Sequence, residues 1–176
     1  MEILRTIVFY TKDKDMPFLI IGGQAINHYK ISRQTGDIDF LVPLKDKTKW
    51  QALLKDLSYN EFQSTNNFSR FEYQGYAAWP IDLMYVNDET FIQLNKDSVY
   101  GDFGLVQAKV ISTEHLIILK IHSLKVFQDY RYAKDYSDLI NLLKLYPINQ
   151  DNLMQYCEKY ASINLYKKLQ NDLKLS

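Results

Sequence analysis

The sequence predicts an α+β fold, in which a small mixed β-sheet flanked by helices precedes a C-terminal helical part. Short apolar segments typical of strands alternate with helical segments up to residue 111. From Thr113 onward, apolar residues instead recur at the three- and four-residue spacing of helices. We therefore expect an α/β core over residues 1–111 and a helical part over residues 112–176 that packs on this core.

The elements of the first half follow from apolar runs and the residues that end them. The run at residues 18–21 predicts a buried strand that ends at Gly22 and Gly23, and Pro43 stops a second apolar strand. In chain order we predict a helix over 2–11, a strand over 18–21, a helix over 24–29, a strand over 38–42 and a helix over 46–57.

The remaining elements are predicted in the same way. Loose alternation over 68–74 and an apolar run over 81–86 indicate strands, whereas 87–104 is polar and predicts mostly loop with one short helix or strand. We predict a last strand over 105–111, and then helices around 116–124, 132–143, 149–159 and 162–174, with Pro147 at a joint.

Composition limits the class of protein. The chain has 176 residues, of which 47% are apolar and 24% charged, and its formal net charge is zero. It therefore lacks the basic excess typical of tight binding to nucleic acid or to a membrane surface. No apolar run approaches the ~20 residues that span a bilayer, and the N-terminus lacks a signal-peptide pattern, so we expect a cytoplasmic protein with no membrane partner. Cys157 is the single cysteine, which excludes an internal disulfide and a cysteine zinc site.

Two carboxylates stand together at an apolar strand. Asp37 and Asp39 flank Ile38, and residues i and i+2 of a strand point to one face with Cα atoms about 6.6 Å apart. Two like charges on one face repel each other, and a divalent cation between them removes that conflict. Carboxylate oxygens suit Mg²⁺ or Mn²⁺.

A third carboxylate, Asp82, lies within the apolar run over residues 81–86. A buried carboxylate is costly without a cation, a basic side chain or backbone donors. The partner is either a metal ion or an arginine, Arg33 or Arg70. The combination with Asp37 and Asp39 favours a metal site.

A glycine pair follows the first buried strand and opens a helix. Glycine lets the backbone approach a ligand closely, and a helix N-terminus offers N–H groups to a phosphate. Alone, such a turn is a weak signal. Here Gly23 precedes Asp37 by fourteen residues, and the two segments together carry a resemblance.

Residues 21–25 read IGGQA and residues 33–41 read RQTGDIDFL, and this pair of segments resembles the signature of the polymerase-beta-type nucleotidyltransferase superfamily. The R-x-T-x-D-I-D form is especially similar to the AbiEii-like group, the toxins of bacterial type IV toxin–antitoxin and abortive-infection systems. The third-acid strand of that superfamily matches residues 81–86. The resemblance implies a nucleotidyltransferase fold.

The resemblance also implies a set of site residues. Asp37, Asp39 and Asp82 would be catalytic and would bind Mg²⁺ or Mn²⁺, with a nucleoside triphosphate as substrate. The nucleotide-binding residues would be Gly22, Gly23, Gln24, Arg33, Thr35, Lys120 and Asp135. Many members have serine after the first glycine, where this chain has Gly23, so the grip on phosphate stays open. Arg33 either binds phosphate or neutralises the acids.

Lys120 lies on the apolar stripe of its predicted helix, four residues from Leu116 and from Leu124. A lysine there must pair or extend to the surface. Either it reaches the nucleotide triphosphate, as a catalytic residue, or it forms a structural ion pair with Asp135 or Asp138. In the second case one aspartate would hold Lys120 while the other caps the helix or faces solvent.

The predicted activity is metal-dependent transfer of a nucleoside monophosphate to an acceptor hydroxyl. The acceptor is a tRNA end, a protein or a small molecule, and a toxin of this kind would have a cognate antitoxin as partner. One alternative is an antibiotic nucleotidyltransferase of the aminoglycoside or lincosamide type. Another is a non-catalytic protein of the same fold that acts as a binding or antitoxin-like partner.

Overall fold

The computed structural model describes residues 2–75, 78–126 and 130–174. The chain divides into two compact units, Met1–Ser112 and Thr113–Ser176. Packing of the helical part on the core stays a prediction.

The first unit alternates helices and strands. Its elements are α1 (Glu2–Asp13), β1 (Leu19–Ile20), α2 (Gly22–His28), β2 (Ile38–Pro43), α3 (Lys47–Asp56), β3 (Tyr59–Ser64), β4 (Phe68–Tyr73), β5 (Ile81–Val86), α4 (Asp88–Lys96), β6 (Val99–Asp102) and β7 (Gln107–Val110). A single 3₁₀ turn, Leu44–Asp46, joins β2 to α3.

The strands form one mixed sheet with the order β3-β4-β5-β2-β1-β7-β6. The pairs β2–β5 and β1–β7 are parallel, and the other neighbours are antiparallel. The parallel pair β2–β5 lies near the centre, which explains why both strands read as nearly continuous apolar runs. The predicted mixed sheet with flanking helices is confirmed.

An aromatic cluster anchors α3 to the central strands. Trp50 and Phe40 are fully buried, with ring centroids 5.7 Å apart, and the Phe18 ring lies edge-on to both. Burying side chains of this size contributes about 2–3 kcal/mol each. The strand that carries Asp39 is therefore held on a rigid core.

The structure of the first unit differs from the sequence predictions most clearly at three places. The strand β3 was not predicted, because only Tyr59 of its residues is buried and the rest are exposed, so no apolar alternation marks it. The stretch over 87–104 is not mostly loop, since it contains both α4 and β6. The last strand covers four residues, Gln107–Val110, rather than the predicted seven.

Side-chain caps explain where α4 begins. Asn87 Oδ1 accepts a hydrogen bond from the Thr90 backbone N–H at 2.8 Å, which satisfies one of the free donors of the first turn. Thr90 stands among polar residues, so the hydrophobic pattern of this segment is weak and only the cap marks the helix.

The second unit consists of helices in its described part: α5 (Thr113–Val126), α6 (Tyr130–Leu145), α7 (Gln150–Tyr160) and α8 (Ile163–Leu173). The predicted helical part is confirmed, and α6 ends just before Pro147. Asn149 and Ser162 cap α7 and α8 through their side chains. Cys157 is fully buried in α7, and burial raises the pKa of its thiol to about 12.

Across the described ranges, each helix is too short or too polar to pass through a bilayer.

Candidate active site

Asp39 and Asp82 are direct neighbours across the parallel pair β2–β5. Their Cα atoms are register partners, so their side chains leave the sheet on the same face. Asp82 is buried, with 5% of its surface exposed, and Asp39 is half-buried. The central strands thus place two carboxylates side by side.

Asp37 joins this pair from just outside the sheet. The sequence predicts Asp37 on the strand, whereas β2 begins at Ile38 and Asp37 lies in the bend before it. The Thr35 hydroxyl donates a 2.6 Å hydrogen bond to Asp37 Oδ1, which fixes the carboxylate. Asp37, Asp39 and Asp82 each offer one oxygen, and these oxygens lie within 4.8 Å of one another.

The donor set suits a divalent cation. Three carboxylate oxygens so close together repel one another unless positive charge lies among them. Hard oxygen ligands from one or two carboxylates, completed by water and phosphate, are what Mg²⁺ takes in proteins. The residues present therefore fit the metal that the resemblance implies.

The glycine turn touches the Asp39 carboxylate. Gly22 has φ +59°, a conformation that favours glycine, and a Cβ atom there would lie 2.0 Å from Asp39 Oδ2. The Gly23 backbone N–H also points to Asp39 Oδ2, at 3.4 Å. Two features therefore require glycine at position 22: the positive φ, and the close approach of Asp39 Oδ2.

The second glycine makes room for Arg33 and Thr35. A Cβ atom on Gly23 would lie 1.9 Å from Arg33 Nη1 and 2.5 Å from Thr35 Oγ1. The guanidinium group and the hydroxyl therefore lie directly against the turn, in the space that a side chain at position 23 would enter. The serine found there in many members of the resembled superfamily would not fit unless Arg33 moved.

Asn27 holds the segment that carries Arg33, a contact that sequence reasoning missed. Its Oδ1 atom accepts a 2.9 Å hydrogen bond from the Arg33 backbone N–H. The only available signal was a polar residue within a largely buried helix, three positions after Gln24. Gln24 itself is buried in the first turn of α2.

Arg70 forms an ion pair with one of the three acids. Arg70 lies opposite Asp82 in the antiparallel pair β4–β5, and its Nη1 atom is 3.5 Å from Asp82 Oδ2. Arg70 is thus an arginine partner of the kind that the sequence allows for Asp82, and the metal ion, the other partner considered, stays a prediction. The arginine is one-third exposed, so this pair is a weak one.

Lys120 and Asp135 belong to the second unit, where they form a buried cluster with Asp138. Lys120 Nζ donates to Asp135 Oδ1 at 2.6 Å and to Asp138 Oδ2 at 2.7 Å. Both aspartates are 5% exposed, so the expectation that one of them caps the helix or faces solvent is wrong. A role for Lys120 and Asp135 in nucleotide binding stays a prediction.

The cluster sets the charge state of Asp135. Burial alone would raise the pKa of this carboxyl group, but the Lys120 charge and hydrogen bonds from Lys120 and Ser123 outweigh it. The pKa of Asp135 is therefore below its ordinary value of 3.8. Asp135 is therefore a carboxylate at neutral pH.

Solved structures of nucleotidyltransferases share this architecture. An antigenic nucleotidyltransferase-like protein from Paracoccidioides brasiliensis aligns with a TM-score of 0.65 and 15% identity, over 98% of this chain and 89% of that one. ANT(2″)-Ia in complex with adenylyl-2″-tobramycin aligns with a TM-score of 0.67 and 16% identity, over 91% and 98%. The lincosamide antibiotic adenylyltransferase LnuA, with lincomycin bound, aligns with a TM-score of 0.56 and 17% identity, over 81% and 95%.

No protein-family model matches the chain, and the curated proteins give no significant match. At these identities the structural likeness establishes the fold. The chain therefore has the nucleotidyltransferase fold, as the sequence predicts, and the likeness does not single out the AbiEii-like group.

Proposed function

We propose that this protein transfers a nucleoside monophosphate from a nucleoside triphosphate to an acceptor hydroxyl, with Mg²⁺ or Mn²⁺ held by Asp37, Asp39 and Asp82. One observation carries the proposal: three carboxylate oxygens lie within 4.8 Å of one another, beside a glycine turn, in a nucleotidyltransferase fold.

The residues around the turn would bind the triphosphate. The cation would neutralise phosphate charge and polarise the α-phosphorus. Thr35 keeps Asp37 in place through its hydrogen bond. The Arg33 guanidinium, which lies against Gly23, would supply the positive charge that a serine hydroxyl cannot, because a guanidinium binds phosphate through paired N–H groups.

Asp82 would serve the acceptor. The acceptor oxygen forms a bond to the α-phosphorus, the bond from that phosphorus to the pyrophosphate oxygen breaks, and the hydroxyl proton leaves. Asp82 would accept this proton or orient the hydroxyl that loses it. Its burial on β5 keeps the carboxylate fixed while the charge develops.

Lys120 and Asp135 are the residues of the second unit that we assign to the nucleotide. In the structure the Lys120 ammonium donates to Asp135 and Asp138. Binding a phosphate would require an oxygen of the nucleotide to replace one of these carboxylates. The proposal for these two residues rests on the resemblance.

The acceptor separates two forms of the function. The motif at Arg33, Thr35, Asp37 and Asp39 favours a toxin that modifies a tRNA or a protein and is paired with an antitoxin. The similarity to ANT(2″)-Ia and LnuA favours a small-molecule acceptor such as an antibiotic. Retention of the three acids argues against a non-catalytic partner.

A labelling experiment tests the proposed transfer. Each α-labelled nucleoside triphosphate is incubated with Mg²⁺, the protein and cell extract, and the D37N/D39N variant serves as the inactive match. We expect label in one fraction with the unaltered protein and none with the D37N/D39N variant. A parallel set with purified aminoglycosides and lincosamides identifies a drug acceptor. Absence of label from every fraction and every drug would contradict the proposed enzymatic activity.

A further inference from the structure

A cavity of about 760 Å³ lies along one face of α2. It is lined by α2, by the start of α1 and by the loop between β6 and β7. A volume of this size holds a drug-sized or nucleoside-sized molecule. The first lining residue of α2 is Gln24, the neighbour of Gly23, so the cavity begins beside the glycine turn.

The α2 face presents three polar side chains at helical spacing. Gln24, Asn27 and His28 stand at i, i+3 and i+4, so they lie in a row. Asn27 uses its Oδ1 atom to hold the Arg33 backbone, which leaves its amide N–H₂ as a donor for the cavity. The row therefore links the cavity to the loop that carries Arg33.

The Gln24 amide is the strongest indication of a ligand. Gln24 is 6% exposed, and its side chain makes no hydrogen bond to the parts of the chain that the structure describes. Its amide atoms are not among the buried side-chain atoms that lack a partner, so the amide faces the open cavity that Gln24 lines. A ligand in the cavity that offers both a donor and an acceptor would satisfy it.

Rings form another part of the wall. His28 and Phe103 lie with ring centroids 6.2 Å apart and planes tilted by 31°. Burial and the Lys30 charge hold the pKa of His28 below its usual value, against a smaller effect of Asp102, so the imidazole is uncharged at pH 7. Uncharged flat rings are good stacking surfaces for a nucleobase.

The charges around the cavity balance. Arg5 and Lys30 supply two positive charges, and Glu2 and Asp102 supply two negative ones. A polyphosphate or a polycation would meet as much repulsion as attraction here. A neutral ring with donors and acceptors on its edge fits this lining better.

The sheet order separates the cavity from Asp82. Asp82, the proposed proton acceptor, lies on β5, whereas the cavity is formed beside β6, and β2, β1 and β7 stand between them. If the acceptor hydroxyl lies at Asp82, the cavity on the α2 side of the glycine turn is available to the nucleoside triphosphate.

We infer that this cavity binds the base of the nucleoside triphosphate and that the Gln24 amide reads its edge, a conclusion that rests on the proposed function. Gln24 donates to and accepts from the base, while the half-buried His28 ring contacts its face and Phe103, which is 7% exposed, lies against His28. The nucleotide preference of the protein would thus be set within the first unit.

Nucleosides without phosphate and without metal test the inference directly. Adenosine, guanosine, cytidine and uridine are titrated against the full chain by calorimetry and by amide chemical-shift changes. We expect at least one to bind with a dissociation constant of about 1 mM or tighter, with shifts around Gln24. Gln24→Ala should weaken that binding about two- to tenfold, the worth of one hydrogen bond.

Two further variants make the outcome decisive. Gln24→Glu keeps the shape and the acceptor oxygens but loses the donor, so it should change the order of the four nucleosides. Gln93→Ala removes an exposed amide on α4 and should bind as the unaltered protein does. No nucleoside binding, or identical binding by both Gln24 variants, overturns the inference.

The same samples separate this inference from the proposed function. Titration with Mg²⁺ and inorganic tripolyphosphate reports the carboxylates and the turn without a base. Failure of that titration contradicts the metal and phosphate site, whereas failure of the nucleosides contradicts the cavity alone.

Discussion

Gly22 is held by two separate constraints at the scale of a single residue. Its φ of +59° costs an alanine about 1–2 kcal/mol. Its Cβ atom would also lie 2.0 Å from Asp39 Oδ2, so the carboxylate must move. We expect Gly22→Ala to lower the free energy of unfolding by about 1–2 kcal/mol and to abolish divalent-cation binding, as measured by urea denaturation and Mn²⁺ titration.

Gly104 supplies the matched control. It also has a positive φ, +80°, but a Cβ atom there would meet nothing within 4 Å. Gly104→Ala should therefore cost similar stability and leave Mn²⁺ binding intact. Equal loss of Mn²⁺ binding in the two variants would show that strain, and not contact with Asp39, is responsible.

Arg70 competes with a cation for Asp82. Its guanidinium lies 3.5 Å from the carboxylate and is one-third exposed, so the pair contributes about 0.2–1 kcal/mol. Arg70→Gln should tighten Mn²⁺ binding by up to about fivefold, because Asp82 then has one fewer positive neighbour. The exposed pair of Lys45 and Asp88 provides the control, and Lys45→Gln should leave the Mn²⁺ affinity unchanged. Weaker binding in Arg70→Gln would mean that Arg70 positions Asp82 for the metal.

At the scale of the element, the pair α5 and α6 is joined by a buried charge cluster. Removing Lys120 leaves two buried carboxylates without their cation, a loss of about 3–5 kcal/mol. Removing one carboxylate leaves the Lys120 ammonium paired with the other carboxylate, so the cluster keeps its ion pair. We therefore expect Lys120→Met to destabilise the protein far more than Asp138→Asn in urea denaturation. Equal losses would show that the ammonium is not the group that holds the cluster together.

Asp135 makes part of this stability depend on pH. Its pKa is lowered in the folded state, so its contribution is complete above the ordinary value of 3.8 and is lost as the pH falls through the folded value. We expect Asp135→Asn to be less stable than the unaltered protein at pH 7, with the difference shrinking below about pH 4. Urea denaturation between pH 7 and pH 3 measures this.

Ser123→Ala provides a milder change for comparison with Asp135→Asn in the same denaturation measurements. It removes only one hydrogen bond to Asp135, at 2.5 Å, and should give a smaller difference in the same direction. A difference between Asp135→Asn and the unaltered protein that stays constant over this pH range would contradict a lowered pKa.

Elements with a buried face could be predicted from the sequence, and elements without one could not. β5 is nearly continuous in apolar residues, and its predicted bounds, 81–86, are those observed. β3 has one buried residue and lies at the edge of the sheet, where β4 alone pairs with it. Its formation depends on backbone hydrogen bonding to a neighbour, which leaves no trace in its own side-chain pattern.

The candidate site shows the same limit at the scale of the whole molecule. The sequence indicates Asp37 and Asp39 because they flank one buried residue, and it indicates Asp82 because a carboxylate interrupts an apolar strand. That Asp39 and Asp82 are register partners follows only from the parallel pairing of β2 and β5. The Asn27–Arg33 contact depends on how the chain folds back after α2, which no local pattern encodes.

The nucleotidyltransferase fold is shared with proteins whose sequences are only 15–17% identical, among them the adenylyltransferase LnuA. Whether this chain also shares their chemistry depends on whether its three carboxylates hold a cation together with a nucleotide. That is the central claim.

Calorimetric titration of a non-hydrolysable nucleoside triphosphate, with and without Mg²⁺, tests this claim most directly. The unaltered protein should bind the nucleotide measurably only with Mg²⁺, and Asp39→Asn and Asp82→Asn should each weaken that binding about tenfold or more. Nucleotide binding of equal strength without the cation, or undiminished in both variants, would contradict the account.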